Sequence, residues 1–380
     1  MLSSAFITKT AHFLPNKVVN NDEMENYLGK IGDKGSRAKS IVLRNNKIKQ
    51  RHYALNERGQ ITHTNAQMAL EAINLLVDDT FNLSLLELLA SGTSTPDYMI
   101  PSHGMQVHSL LKDSSSISVY STSGVCCSSM HALEVAYLAL LQNKVSNAIA
   151  TGSELVSPIL RSDFFEIEYK KLHELDNNAL LAFEKDFLRF MLSDGAGAFL
   201  LRNKPVKGLN LEIEWIESVS YANQFPPCMY EGCIRTDDGK LISWKEMTPE
   251  QWVENTVFSV KQDTRILENI IPKGAEFFKY CLEKNKLCIQ DINYFLPHIS
   301  SMYFYDKLIQ EFKINDMDLP ENRYYTSLTE TGNVGSASIY ITLDRFLKDR
   351  ELNEGERIIL GVPESAQFQY SMACLKVVYA

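Results

Sequence analysis

An α/β fold built from two similar halves is what the sequence predicts, and three observations carry that prediction. Short apolar strands alternate with helical stretches along nearly the whole of the 380 residues. Each half contains a sharp turn that opens a helix of small or apolar residues, at Gly124-Val125-Cys126-Cys127 and at Gly332-Asn333-Val334-Gly335. No Ser/Gly/Pro-rich linker or charge block separates independent domains, so residues 1–205 and 206–380 are expected to pack intimately.

In order, residues 1–205 read as three strand–helix pairs, then a strand in which Ile117 and Val119 alternate with Ser118 and Tyr120, then a helix. In that helix Met130, Leu133, Tyr137, Leu140 and Leu141 recur at helical spacing with apolar residues between them, so it is expected to run through the core. Strands over 148–150 and 196–201 follow. The second half repeats the logic, with a long strand over 209–222, mostly helix over 249–284 and a short strand over 294–297 that ends at His298. A helix from Gly335 and strands over 357–362 and 372–379 complete it. Two segments stand outside this alternation. Residues 161–190 are charged and aromatic at helical spacing, a helical excursion at the surface, in the pocket or at a dimer interface. Residues 221–252 are irregular but rich in Met, Cys and aromatics, which suits a cover over an apolar tunnel.

Cys126 is the candidate nucleophile. A thiol at a helix N-terminus meets unpaired N–H groups and the positive end of the helix dipole, and both favour thiolate. A free cysteine is also often just a small buried apolar residue. His298 taken alone reads equally as a structural histidine, and Asn333 in its Gly-Asn turn as a turn former or N-cap.

Taken together, these segments resemble the thiolase superfamily and, within it, the ketoacyl synthase III branch of condensing enzymes. The resemblance runs through the strand 7–15, Ile48-Lys49-Gln50-Arg51-His52, Thr95-Pro96-Asp97 with Pro101-Ser102, and Asp194-Gly195-Ala196-Gly197-Ala198. Cys126 six residues before Ala132-Leu133 fits the family's nucleophile spacing, Pro297-His298 its "PH" motif and Gly332-Asn333 its "GN" motif. The resemblance implies a thiolase-like fold of duplicated α/β halves in five αβαβα layers, with the active site between them. It implies an acyltransferase that forms a C–C bond by Claisen condensation, with Cys126 acylated and His298 and Asn333 stabilising the enolate. Backbone N–H groups of Cys126 and Ala366 would form the second oxyanion hole.

Three departures narrow the reading. The family's glycine triplet before phenylalanine is replaced by Ser365-Ala366-Gln367-Phe368, which denies glycine-only angles to that loop. The usual "PHQAN-x-R" becomes Pro297-His298-Ile299-Ser300-Ser301-Met302-Tyr303, placing Tyr303 where a basic carrier-docking residue is common. Glu154 stands where aspartate often follows a Gly-Ser pair; it is either a structural carboxylate or the base that a β-ketoacyl donor requires. These features resemble the ketosynthase/cyclases of bacterial dialkylresorcinol and stilbene biosynthesis, which join two thioester chains and close a cyclohexanedione. Decarboxylating elongation with malonyl carrier protein, head-to-head condensation without cyclisation, and a non-catalytic partner of a condensing enzyme are the alternatives.

Phe368, Trp244 and Met229 are the candidate acyl-binding residues. Acyl-CoA or acyl carrier protein thioesters are the expected partners, and a homodimer the expected assembly. Neither metal-ligand spacing nor a Gly-x-Gly-x-x-Gly turn after a strand is present, so no cofactor is expected. A formal charge of −9 argues against nucleic acid, and no apolar run reaches membrane-spanning length. Seven cysteines without framework spacing suit reduced thiols in the cytoplasm.

Overall fold

The computed structural model describes residues 4–31, 39–164, 187–236 and 238–380. Most of the helical excursion expected over 161–190 lies outside the described residues. The main sheet has nine strands: β1 (Phe6–Phe13), β2 (Leu88–Thr93), β3 (Ser118–Ser123), β4 (Asn147–Glu154), β5 (Gly195–Arg202), β6 (Leu209–Ser220), β7 (Tyr294–Pro297), β8 (Arg357–Glu364) and β9 (Gln369–Tyr379). Their order across the sheet is β7-β8-β9-β6-β1-β5-β4-β2-β3. Strands from before residue 205 therefore occupy one side and strands from after it the other. The two groups meet at a short antiparallel junction, Phe6 opposite Glu212 and Ile7 opposite Leu211.

Side-chain alternation sorts the layers. In β2 and β8, Leu88, Ala90, Ile358, Leu360 and Val362 face a central cluster, while Leu89 and Ile359 face away. Two helices fill the centre, α3 (Ser128–Leu141) and α6 (Ser338–Asp349), with Met130, Leu133, Ala136, Ile339, Tyr340 and Leu343 in that cluster. Outside the first half's strands lie α1 (Asn65–Asn74) and α2 (His103–Leu110), through Ala69, Ile73 and Val107. Outside the second half's strands lie α4 (Ile270–Lys284) and α5 (Met302–Ile314), through Phe278, Leu308 and Phe312. The result is the mixed α/β fold with layered halves that the sequence predicts. Register shifts keep the layers in phase. In β6 the shift opposite Cys374 and Leu375 moves the inward face from Ile213 to Ile216 and turns Trp215 outward.

α3 is apolar nearly all round because both faces are covered, and its start sits directly on the sheet. A Cβ on Gly92 would lie 2.4 Å from the Ser128 backbone, and one on Gly152 2.6 Å from Ser129 Cβ. Glycine at both positions lets the helix start approach two parallel strands. Tyr340 of α6 stacks on Phe199 of β5 at 3.8 Å and donates its hydroxyl to Ser129 O at 3.0 Å, fixing the two central helices to each other.

The stretch 249–284 is not one helix. A short helix, Pro249–Glu254, stops at Asn255 and Thr256, the latter at φ 46°. The extended pair Lys261–Gln262 then bonds to Met229–Tyr230, and a 3-10 turn over Thr264–Asn269 leads into α4. The broken path ties this segment to the irregular stretch before it, and together they form one wall of a cavity.

Candidate functional site

Five strands end at one place. β2, β3 and β4 are mutually parallel and finish at Thr93, Ser123 and Glu154; β7 and β8 are parallel and finish at Pro297 and Glu364. Carboxyl ends of parallel strands are where α/β proteins place ligand sites. Here they surround a cavity of about 290 Å³ lined by Cys126, Glu154, Met229, His298 and Asn333, among others.

Beyond β3 the chain turns at Gly124, whose φ of 144° suits glycine, and α3 begins at Ser128. Cys126, 8% exposed, lines the cavity. Cys127 points elsewhere, its thiol donating to Val362 O at 3.3 Å from a fully buried position. The expectation of a thiolate favoured by the helix start is corrected. Burial pushes the Cys126 thiol well above its ordinary pKa, and the charges of Glu364 and Glu154 push it further in the same direction. Glu364 Oε2 accepts from Val125 N–H at 3.0 Å and Cys127 N–H at 2.9 Å. The anion-binding end of the helix is thus already filled by a carboxylate, and Cys126 is a thiol at rest.

His298 follows β7 directly, its N–H bonded to Gly361 O at 2.8 Å. The ring is buried, and desolvation lowers its pKa to about 4, so it is neutral at pH 7 and retains one N–H donor. Asn333 is held by its backbone, N–H to Met191 O at 3.0 Å and O from Ser193 N–H at 2.9 Å. Its Oδ1 accepts from Gly335 N–H at 3.0 Å, which forms the turn before α6 and leaves the side-chain NH₂ as a donor at the cavity. Turn forming and site lining are therefore the same geometry.

Glu154 is fully buried and crowded with donors. It accepts from Ser94 Oγ and Thr95 Oγ1 at 2.7 Å each, Ser94 N–H at 3.1 Å, Ser336 N–H at 3.2 Å and, more distantly, Thr93 Oγ1 at 3.5 Å. Desolvation raises its pKa, and these hydrogen bonds pull the other way. Gly335, at φ 51°, leaves the space that its methylene fills; a Cβ there would lie 2.9 Å from Glu154 Cγ. The carboxylate clasps the end of β2 to the Asn333 turn.

The remaining expectations divide. Met229 lines the cavity, together with Val260, Leu267, Ile270 and Ile271, so the cover draws on residues both inside and beyond 221–252. Trp244 does not; it packs against Trp252 and Phe258. Phe368, at φ 55°, is buried in the outer core and stacked on Phe225 at 4.4 Å. Of the 365–367 loop Ser365 lines the cavity, and Ala366 O accepts from Cys228 N–H at 2.7 Å and Met229 N–H at 3.2 Å, which ties the loop to the cover.

Two acids at the site went unread in the sequence. Glu364 stood immediately before the altered 365–367 loop, and an acid there, facing a helix start, was the available signal. Glu231 lines the cavity inside the Met-Tyr-Glu-Gly-Cys run 229–233, where one acid among apolar residues was the only mark. Among the described residues no group of His, Cys, Asp and Glu is placed to hold a metal ion, and no helix is long and apolar enough to cross a membrane.

Residues 282–362 match the family model for the 3-oxoacyl-[acyl-carrier-protein (ACP)] synthase III C terminal. The chain is 24% identical over 365 residues to the beta-ketoacyl-[acyl-carrier-protein] synthase III of Clostridium novyi (strain NT), covering 93% of each, and 23% identical over 350 residues to that of Ehrlichia ruminantium (strain Gardel), covering 92% of each. Among solved structures it superposes on AbyA1, a tetronic acid condensing enzyme, with a TM-score of 0.75, 21% identity and coverage of 98% and 99%. It superposes on a variant of OleA from Xanthomonas campestris with a TM-score of 0.69, 16% identity and coverage of 99% and 98%.

Proposed function

We propose that this chain, a ketoacyl synthase III-like condensing enzyme of the thiolase superfamily and an acyltransferase, joins an acyl group carried on Cys126 to a β-ketoacyl thioester. One observation supports this most: a single apolar-walled cavity holds the Cys126 thiol, two uncharged donors at His298 and Asn333, and more than one carboxylate. The thiol attacks the first thioester carbonyl, and the departing carrier thiolate takes up the proton that Cys126 loses. The donor then forms a carbanion whose enolate oxygen is met by the His298 N–H and the Asn333 NH₂. A neutral donor serves better here than an imidazolium, since it leaves no fixed positive charge to bind the resting carboxylates. Attack on the acyl carbon releases Cys126, and with an α,β-unsaturated acyl group an intramolecular Michael addition closes a cyclohexanedione, the precursor of a dialkylresorcinol.

Delivery on coenzyme A or a carrier protein suits both half-reactions. A homodimer fits the surface: β3 is an edge strand, and Tyr98, Met99 and Ile100, in the loop between β2 and α2, are 61%, 69% and 89% exposed. The test is product mass spectrometry of the purified enzyme charged with an acyl thioester and offered malonyl or β-ketoacyl donors in parallel. A cyclic product from the β-ketoacyl donor supports the reading; turnover of malonyl alone replaces it with decarboxylating elongation.

A further inference from the structure

We infer that Glu231 is the base that removes the α-proton of the donor, a role for which Glu154 is already committed elsewhere. This rests on the β-ketoacyl reading above, because a malonyl donor generates its carbanion by losing carbon dioxide and needs no base.

The two carboxylates share a cavity but differ in what holds them. The four closest donors to Glu154, at 2.7–3.2 Å, occupy both of its oxygens and lock it against Gly335. The Glu231 side chain has no hydrogen-bond partner among the described residues, and it lines the cavity while remaining exposed. It follows the Met229–Tyr230 strand pair, which is pinned to Lys261–Gln262, so its backbone is fixed while its oxygens stay free. The charged and titratable groups around it are Glu154 across the cavity, Lys261 and Cys233 on its own wall, and Cys126 and His298 at the reacting end. Lys261 is engaged with the carbonyls of Asn255 and Thr256 at 3.2 and 3.1 Å rather than with the acid. Crowding by protein atoms, with the charge of Glu154 as the second cause, raises the Glu231 pKa to about 7. A general base is most effective when its pKa lies near the working pH.

A Glu231 oxygen takes one proton from the carbon between the two carbonyls of the donor, and the electron pair passes to the enolate oxygen held by His298 and Asn333. That carbon bonds to the acyl carbon on Cys126, the C–S bond breaks, and the released thiolate recovers the proton from Glu231.

The experiment compares the full-length enzyme with Glu231→Gln. Cys126 should still become labelled by an acyl thioester, while condensation with a β-ketoacyl thioester should fall by about 10²–10⁴-fold. In the unmodified enzyme that condensation should rise with pH through about 7, as Glu231 loses its proton, and the variant should lack this limb. Glu231→Ala supplies a second readout: formate added to the folded variant should restore part of the rate. Condensation by Glu231→Gln at close to the unmodified rate overturns the proposal, as does loss of Cys126 labelling in parallel with condensation, which would make the residue structural. Failure of the donor assignment is seen separately, in an unmodified enzyme that accepts malonyl alone, and it removes the need for any base.

Discussion

The cavity has two walls of different construction. One is made of strand ends and helix starts: Thr95, Cys126, Glu154, His298 and Asn333 each lie within a few residues of a regular element whose backbone fixes them. The other is made of the cover, Met229, Glu231, Val260, Gln262 and Leu267, joined by two-residue strand pairs and 3-10 turns. On the first wall the Glu154 oxygens and Asn333 Oδ1 are taken by protein donors, while the Cys126 thiol, the His298 ring and the Asn333 NH₂ are left to the cavity. On the second the side chains are apolar apart from a few polar groups. On the proposed reading the reacting groups belong to the wall of strand ends and the acyl contacts to the cover, whose irregular backbone constrains its side chains less.

The largest loss is expected at Cys126. Cys126→Ala should carry no acyl label and make no product, whereas Cys127→Ala should retain the label, since Cys127 points away from the cavity to Val362. Peptide mass spectrometry locating the acyl group on Cys127 would undo the assignment. Next come the enolate donors. His298→Ala and Asn333→Ala should each lower condensation by about 10²–10³-fold, or about 2.7–4 kcal/mol, while Cys126 still becomes labelled. Equal collapse of labelling and condensation in both folded variants would mean that they serve the first half-reaction instead.

Glu154→Gln tests whether the rigid wall is only a frame. An amide offers NH₂ to a site built of donors, so one of its former partners is left unpaired in a buried place, at a cost of about 1–3 kcal/mol. The urea midpoint should fall, and condensation should fall far less than in Glu231→Gln. The reverse ranking, full stability with lost condensation, would return the role of base to Glu154.

How far each wall was legible follows from the same contrast. The layered halves, the buried helix behind Cys126 and the strand ending at His298 were readable because hydrophobic periodicity and short motifs report regular structure directly. Thr93, Ser94 and Thr95 gather on Glu154 only because β2 and β4 are neighbours, a pairing that no local pattern states. The cover was less readable still. Its irregular course follows from pairing between residues about thirty apart, so Trp244 and Phe368, plausible as acyl contacts by type, pack into aromatic clusters instead, while Val260 and Leu267 line the cavity. The thiolate expectation failed for a related reason. Burial of the thiol is the larger cause, and the helix start that was read as an open positive site is filled by a carboxylate 237 residues away in sequence.

The smallest expected effect isolates that carboxylate. Glu364 Oε2 alone receives both N–H groups, so in Glu364→Gln the amide oxygen can take the same place and keep both bonds while the charge is lost. A negative charge beside the thiol favours its neutral form, so removing it lowers the Cys126 pKa and enlarges the thiolate fraction at a given pH. Alkylation of Cys126 by iodoacetamide should therefore rise with pH across the neutral range in the unmodified enzyme, and the same curve should move to lower pH in the variant. Burial, the larger cause of the raised thiol pKa, remains, which is why the shift is modest. An unmoved curve would mean that Glu364 acts on the thiol only by shaping the turn, and a shift to higher pH would mean that the bonds to Val125 and Cys127, rather than the charge, govern how the helix start meets the sulfur.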